Sequence, residues 1–212
     1  MILVPCRAVI FDFDGVIVES EEIKTRAFAA MYREHGPEVV EAIVAHHRAN
    51  GGISRRQKIR WCHHTQLGVE LDEHTLDALC QLFSTMVEDE VVACDWVPGA
   101  EQVLRTLFGR RPLFVVSGTP RDELSRIFAR RGLDRWFVEV WGSPRGKPEI
   151  IEDILARHRF DRRGVLFVGD SAADLRAARA TGLRFLGRLA DGRQSPFPPG
   201  TPAITDLTQL LI

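Results

Sequence analysis

Apolar residues run unbroken from Ala8 to Phe11, and the chain then sets two aspartates, Asp12 and Asp14, on either side of Phe13, with Gly15 following. An unbroken apolar run reads as an interior strand of a parallel sheet, covered on both faces. At the carboxyl end of such a strand, both acids can enter the crevice where open α/β sheets bind ligands. Gly15 lets the backbone turn away there. Two carboxylates this close repel unless one takes a proton or a cation lies between them.

After Gly15 the apolar period becomes helical. An acidic opening at residues 19–22 leads into Ile23, Ala27, Ala30 and Met31 at helical spacing, and Gly36 and Pro37 end the run. Val39, Val40, Ile43, Val44 and His47 mark a second helix, closed by Asn50, Gly51 and Gly52. A third runs from Ser54 through Ile59 and Trp61 to Leu67, and a fourth over 72–91 carries Leu76, Leu79, Phe83, Met86 and Val87 on one face. Residues 17–94 therefore read as an all-helical insertion of domain size.

From Pro98 strands return, alternating with helices. The strands fall at 113–116, 137–141, 165–168 and 184–186. Helices fall at 98–108, after Thr119, after Pro148 and over 174–181. Thr119 reads as an N-cap with Pro120 at the first helical position. Residues 191–202, rich in Pro and Gly, read as a surface loop, and 203–212 as a short edge strand and a terminal helix. This alternation predicts an α/β, doubly wound parallel sheet built from residues 1–16 and 95–212. Right-handed crossovers place the loop after every strand along one edge.

Four of those loops carry polar clusters: Asp12 and Asp14; Ser117, Gly118 and Thr119; Lys147; Asp170 and Asp174. Several carboxylates beside one lysine suit a hard divalent cation together with a phosphate, since magnesium takes oxygen ligands and leaves a position for a substrate oxygen. A hydroxyl and backbone N–H groups would hold the other phosphate oxygens. The lysine is a compact positive charge that favours the ionised acids. Lys24, Lys58 and Lys147 are the only lysines in a chain with 28 basic residues, so lysine marks places where a point charge is needed.

Bulk properties narrow the field. The 212 residues are 45% hydrophobic and 27% charged, an ordinary globular balance, and suffice for one core with a smaller second domain. A net charge of −1 argues against a nucleic-acid backbone or an anionic membrane as the main partner. Cys6, Cys62, Cys80 and Cys94 have no zinc-like spacing and read as reduced thiols of a cytoplasmic protein. The opening residues 1–5 are too short for a signal peptide, and no apolar run approaches a membrane span.

Taken together, residues 12–16, 117–119, 146–148 and 169–174 resemble the four ordered motifs of the haloacid dehalogenase (HAD) superfamily, and most closely its phosphoglycolate phosphatase-like branch. The resemblance covers nearly the whole chain, and the helical insertion sits where that branch keeps its cap domain. It implies a magnesium-dependent phosphatase acting on a small phosphorylated molecule. Asp12 would be the nucleophile, forming an aspartyl-phosphate. Asp14 would be the acid and then the base. Ser117, Gly118 and Thr119 would bind the phosphoryl group, with Lys147 neutralising its charge. The metal would be held by Asp12, the Asp14 carbonyl and Asp170, with Asp174 an outer ligand or a support for Lys147.

The resemblance also assigns the loop at 51–58 to the substrate's leaving group, where Arg55, Arg56 and Lys58 would meet an anionic substrate. The pairs His46–His47 and His63–His64 cannot chelate a metal, because adjacent residues on a helix face apart, and read as packing or surface. Among rival functions, Asp14 argues against dehalogenation. A β-phosphoglucomutase-like phosphotransferase is disfavoured by Lys24, which stands where such relatives carry histidine. A phosphonate hydrolase would need a Schiff-base lysine from the cap, for which Lys58 is displaced. A non-enzymatic phospho-accepting domain would lack the insertion, and a silent binding domain would not need every acid retained. Neither the substrate nor the oligomeric state is legible.

Overall fold

The computed structural model describes residues 2, 3 and 6–211; Met1, Val4 and Pro5 of the opening stretch, and Ile212 of the expected terminal helix, lie outside the described residues. The chain begins with β1 (Ile2–Leu3) and β2 (Ala8–Phe11). Four helices follow: α1 (Glu21–Met31), α2 (Pro37–Ala49), α3 (Arg55–Trp61) and α4 (Glu73–Ala93). Alternation then sets in with α5 (Ala100–Leu107), β3 (Leu113–Pro120), α6 (Arg121–Arg131), β4 (Glu139–Ser143) and α7 (Lys147–His158). It ends with β5 (Val165–Gly169), α8 (Ala172–Thr181), β6 (Arg184–Arg188), β7 (Ala203–Ile204) and β8 (Leu210–Leu211).

Six strands form a parallel sheet in the order β4-β3-β2-β5-β6-β7, while β1 and β8 pair separately. The chain crosses from β2 to β3 on one side and reaches β5 on the other. The carboxyl end of β2 is therefore the switch point at which such sheets open a crevice.

The two faces of the sheet divide its apolar residues by the strand period of two. Val9, Phe11, Val115 and Val168 enter one buried layer with α5 and α6. Ala8, Ile10, Phe114, Val116 and Phe167 enter the other, against α7 and α8. With both faces covered, alternation in the sequence gives way to unbroken apolar runs. The first layer continues into the helical insertion through Phe28, Ile43, Ile59, Phe83 and Val87, so insertion and sheet share one core.

Several boundaries differ from the sequence expectations. β3 stays extended to Pro120, pairing with Ser143 past an irregularity in register, and α6 starts at Arg121. Thr119 is therefore not its cap. β4 starts two residues later than expected, after a 3-10 turn at residues 134–136. α7 already includes Lys147, with Pro148 in its first turn, where a missing N–H costs nothing. The third helix leaves the α conformation after Trp61 and finishes as a π-helical turn. α8 begins at Ala172, capped by Ser171. The expected terminal helix is a single 3-10 turn before β8, which pairs with β1. No helix among the described residues is long and apolar enough to cross a membrane.

Candidate active site

Asp12 leaves the end of β2 and is only 3% exposed. Its Oδ1 accepts the Phe13 N–H at 2.6 Å, and its Oδ2 accepts from Lys147 Nζ at 2.8 Å. Lys147, at the first position of α7, also donates to Asp174 Oδ1 at 2.6 Å. The remaining oxygen of Asp174 accepts from the Ser171 N–H and hydroxyl, closing a capping box at the start of α8. The lysine thus ties together the ends of three elements far apart in sequence.

Asp12, Asp170 and Asp174 can each place one oxygen within 4.8 Å of the others. Burial, reinforced by Asp174 and Asp14 and opposed by Lys147, pushes the Asp12 carboxyl up to about 7. Burial, together with Glu21, Asp12 and Asp174, raises Asp170 as well. Burial works against the charge of Lys147, but the two carboxylates outweigh it and keep it an ammonium. An all-oxygen set whose members resist ionising together fits a hard divalent cation. Gly15 makes the cluster possible: at φ +69° and with a would-be Cβ 2.1 Å from Asp170 Oδ2, it leaves space that any side chain would fill.

Asp14 points to a different set of partners. Its carboxylate accepts from Ser20 Oγ at 2.5 Å and Thr119 Oγ1 at 2.7 Å, and pairs with Lys24 Nζ at 2.5 Å. Burial alone would raise its pKa, but Lys24 and the two hydroxyls hold it down to about 2. Lys24 also bonds Thr119 Oγ1 at 2.7 Å. That is why Thr119 caps nothing: its hydroxyl belongs to Asp14. Ser117 is buried, its Oγ accepting the Thr119 N–H at 3.1 Å, and the backbone at Gly118 faces the insertion loop at Gly52 and Ile53.

A cleft of about 700 Å³, counted with its open mouth, lies between sheet edge and insertion, lined by Asp12, Asp14, Asp170, Gly118, Thr119 and residues of α1–α4. The two arginines expected there differ. Arg55 borders the cleft, but its guanidinium is only 5% exposed and is taken by both oxygens of Glu123 at 2.6 and 2.9 Å, by Ser84 at 2.6 Å and by the Phe83 ring. Arg56 turns away and pairs with Glu73 and Asp77 on α4, outside the cleft. The structure does not bring Arg56 to the aspartates.

Lys24, not assigned to this site beforehand, lines it, and so does Lys58, expected with Arg55 and Arg56 to meet an anionic substrate, together with its partner His47. Burial, with Lys24 nearby, lowers Lys58 to about 8. Of the histidine pairs, His46 stacks on Trp61, His63 packs against Tyr32 and His64 bonds Glu70, while His47 alone reaches the cleft. All three lysines of the chain converge here.

A family model for haloacid dehalogenase-like hydrolases matches residues 6–182. The chain belongs to that family. Within the HAD-like hydrolases it is similar to a phosphoglycolate phosphatase of Haemophilus influenzae, 26% identical over 84% of this chain and 83% of that one. It is also similar to a validoxylamine A 7'-phosphate phosphatase of Streptomyces hygroscopicus, 24% identical over 96% and 95%. In fold this HAD-like chain resembles a haloacid dehalogenase-like hydrolase of Bacteroides fragilis (TM-score 0.74, 19% identity, 97% of this chain and 100% of that one). It also resembles a HAD hydrolase of Bacillus subtilis solved bound to magnesium (TM-score 0.70, 17% identity, 97% and 96%).

Proposed function

We propose that this HAD-like hydrolase is a magnesium-dependent phosphatase that hydrolyses a small phosphomonoester through an aspartyl-phosphate on Asp12. The observation that carries this reading is Lys147, bonded at once to Asp12 and Asp174 beside Asp170. Such a site offers a buried nucleophile, a fixed cation and an oxygen-only metal set in one place. The relatives named as phosphatases support it.

In the first step an Asp12 oxygen attacks phosphorus, the bond to the leaving oxygen breaks, and that oxygen takes a proton from Asp14. In the second, water attacks phosphorus, gives a proton to Asp14, and the bond to Asp12 breaks to release phosphate. Held as a carboxylate by Lys24, Asp14 stands ready as the base; the acid role requires it to loosen that contact and carry a proton. Ser117, Gly118 and Thr119 bind the phosphoryl oxygens, with Lys147 opposing the charge that gathers on them. Asp12, the Asp14 carbonyl and Asp170 would hold magnesium, and Asp174, with both oxygens bonded, positions Lys147 behind them. When bound, the cation supplies Lewis-acid polarisation of a phosphoryl oxygen. Residues 17–94 act as a cap on the core formed by 1–16 and 95–212.

One observation favours a second reading. Lys58 is buried in the cleft with its pKa held to about 8, the condition in which an amine can form a Schiff base, as phosphonate hydrolysis requires. Phosphate release from p-nitrophenyl phosphate, with and without magnesium and with Asp12→Asn as control, tests the phosphatase. Borohydride trapping of an aldehyde substrate on Lys58 tests the other.

A further inference from the structure

Behind the loop that joins α2 to α3 lies a second groove, about 1260 Å³ counted with its open mouth, against about 700 Å³ for the cleft of the aspartates. Five cations line it: Arg56 and Arg60 from α3, Arg145 just before α7, Lys147 at the head of α7, and Arg176 on α8. No aspartate or glutamate among the described residues lines it, although the chain carries 29 acids to 28 bases. The acids that pair with these arginines, Glu73 and Asp77 on α4 and Glu149 and Asp153 on α7, stand outside the groove. Arg60 uses one guanidinium nitrogen on Glu73, and Arg145 uses two on its acids, so donors remain. Arg176 is exposed and has no acid within salt-bridge distance among the described residues. Gly52 and Ile53 stand between groove and cleft: a Cβ built on Gly118 would lie 3.0 and 3.1 Å from their carbonyl oxygens. Asp12, Asp14 and Asp170 border the cleft and not the groove.

The cations come from both sides of a seam. Arg56 and Arg60 belong to the insertion, while Arg145, Lys147 and Arg176 belong to the sheet and its helices. Like charges facing one another repel, and an anion between them converts that repulsion into attraction on both sides. A guanidinium fork grips phosphate through two parallel hydrogen bonds. Four such forks spread around a groove this wide suit several linked phosphates better than one. Ala173, Ala177 and Pro144 add an apolar floor. We propose that the groove binds a polyphosphate group, free or carried on a nucleotide, as an effector that clasps the insertion to the sheet. The effector is not hydrolysed there, because the groove holds none of the aspartates that would attack it.

The test is isothermal titration of the whole chain with inorganic tripolyphosphate and with ATP, a chelator present, in wild type and in the double variant Arg60→Gln, Arg176→Gln. Neither arginine borders the catalytic cleft, and the Arg60–Glu73 pair is surface-exposed. The double variant should therefore melt like wild type and hydrolyse p-nitrophenyl phosphate at the wild-type rate. Expected is saturable binding of polyphosphate to wild type, weakened about tenfold or more in the variant. Tighter binding of ATP than of tripolyphosphate places a base on the apolar floor; otherwise the groove reads the phosphates alone. At fixed free magnesium, tripolyphosphate should change kcat for p-nitrophenyl phosphate in wild type and leave the variant unmoved. Equal binding by wild type and variant, no binding at millimolar polyphosphate, or inhibition that is purely competitive with the ester overturns the proposal. The titration needs no turnover, so it decides the groove even where the phosphatase reading fails.

Discussion

Lys24 Nζ lies 2.5 Å from Asp14 Oδ2, joining the first helix of the insertion to the residue two beyond the proposed nucleophile. The contact holds down the pKa of Asp14, the group proposed both to give and to take a proton. Lys24→Met removes the main cause of the low Asp14 pKa. The limb of the kcat/KM profile on which activity falls as Asp14 loses its proton should move to higher pH, because more of the enzyme carries the proton that the leaving oxygen needs. A profile unchanged from wild type would show that Asp14 titrates outside the rate.

Arg55 and Glu123, 5% and 1% exposed, form a two-bonded pair between the insertion and α6. Removing one partner leaves the other buried and uncompensated, so Glu123→Gln should destabilise by about 3–5 kcal/mol, more than any surface-pair variant such as Arg105→Ala. Burial would raise the Glu123 pKa, but Arg55 and Ser84 hold it below the ordinary glutamate value. Its contribution is therefore complete above the unfolded value and is lost as pH falls through the lower folded value. Urea unfolding across that acid range should be steep for wild type and flatter for Glu123→Gln.

Asp174→Asn keeps a side chain able to accept from Ser171 but takes one of two carboxylates from Lys147. Activity should fall with a stability loss of about 1–3 kcal/mol, from weakening a charged hydrogen bond. Asp174→Ala should cost more, since it also breaks the capping box, worth about 1 kcal/mol. Equal stability of the two variants would argue against the cap.

Magnesium binding at Asp12, the Asp14 carbonyl and Asp170 should stabilise the folded chain by mass action, about 2.7 kcal/mol at a hundred times Kd. Chelation should reverse the gain, and Asp170→Asn should abolish it. A melting temperature indifferent to magnesium would speak against a metal at this edge.

The fold was largely legible because β2, β3 and β5 are buried on both faces and their apolar runs end abruptly in polar clusters. Asp12, Asp14, Lys147 and Asp170 were visible for the same reason: polar residues at strand ends break a pattern. Lys24 breaks none, since a lysine on a helix reads as solvated, while Lys58 was marked out with Arg55 and Arg56 only by its place on the loop expected over the site. Arg55 looked free because its partner Glu123 lies 68 residues away, beyond any local pattern. Thr119 looked like a cap because nothing nearby shows that Asp14, 105 residues earlier, takes its hydroxyl.

The most direct measurement is the mass of the peptide containing Asp12 after acid quench of a single turnover on a phosphate ester. The expected result is one added phosphoryl group on Asp12, labile to hydroxylamine and absent in Asp12→Asn. Ester hydrolysis at full rate with no phosphoryl group ever found on that peptide would contradict the aspartyl-phosphate route.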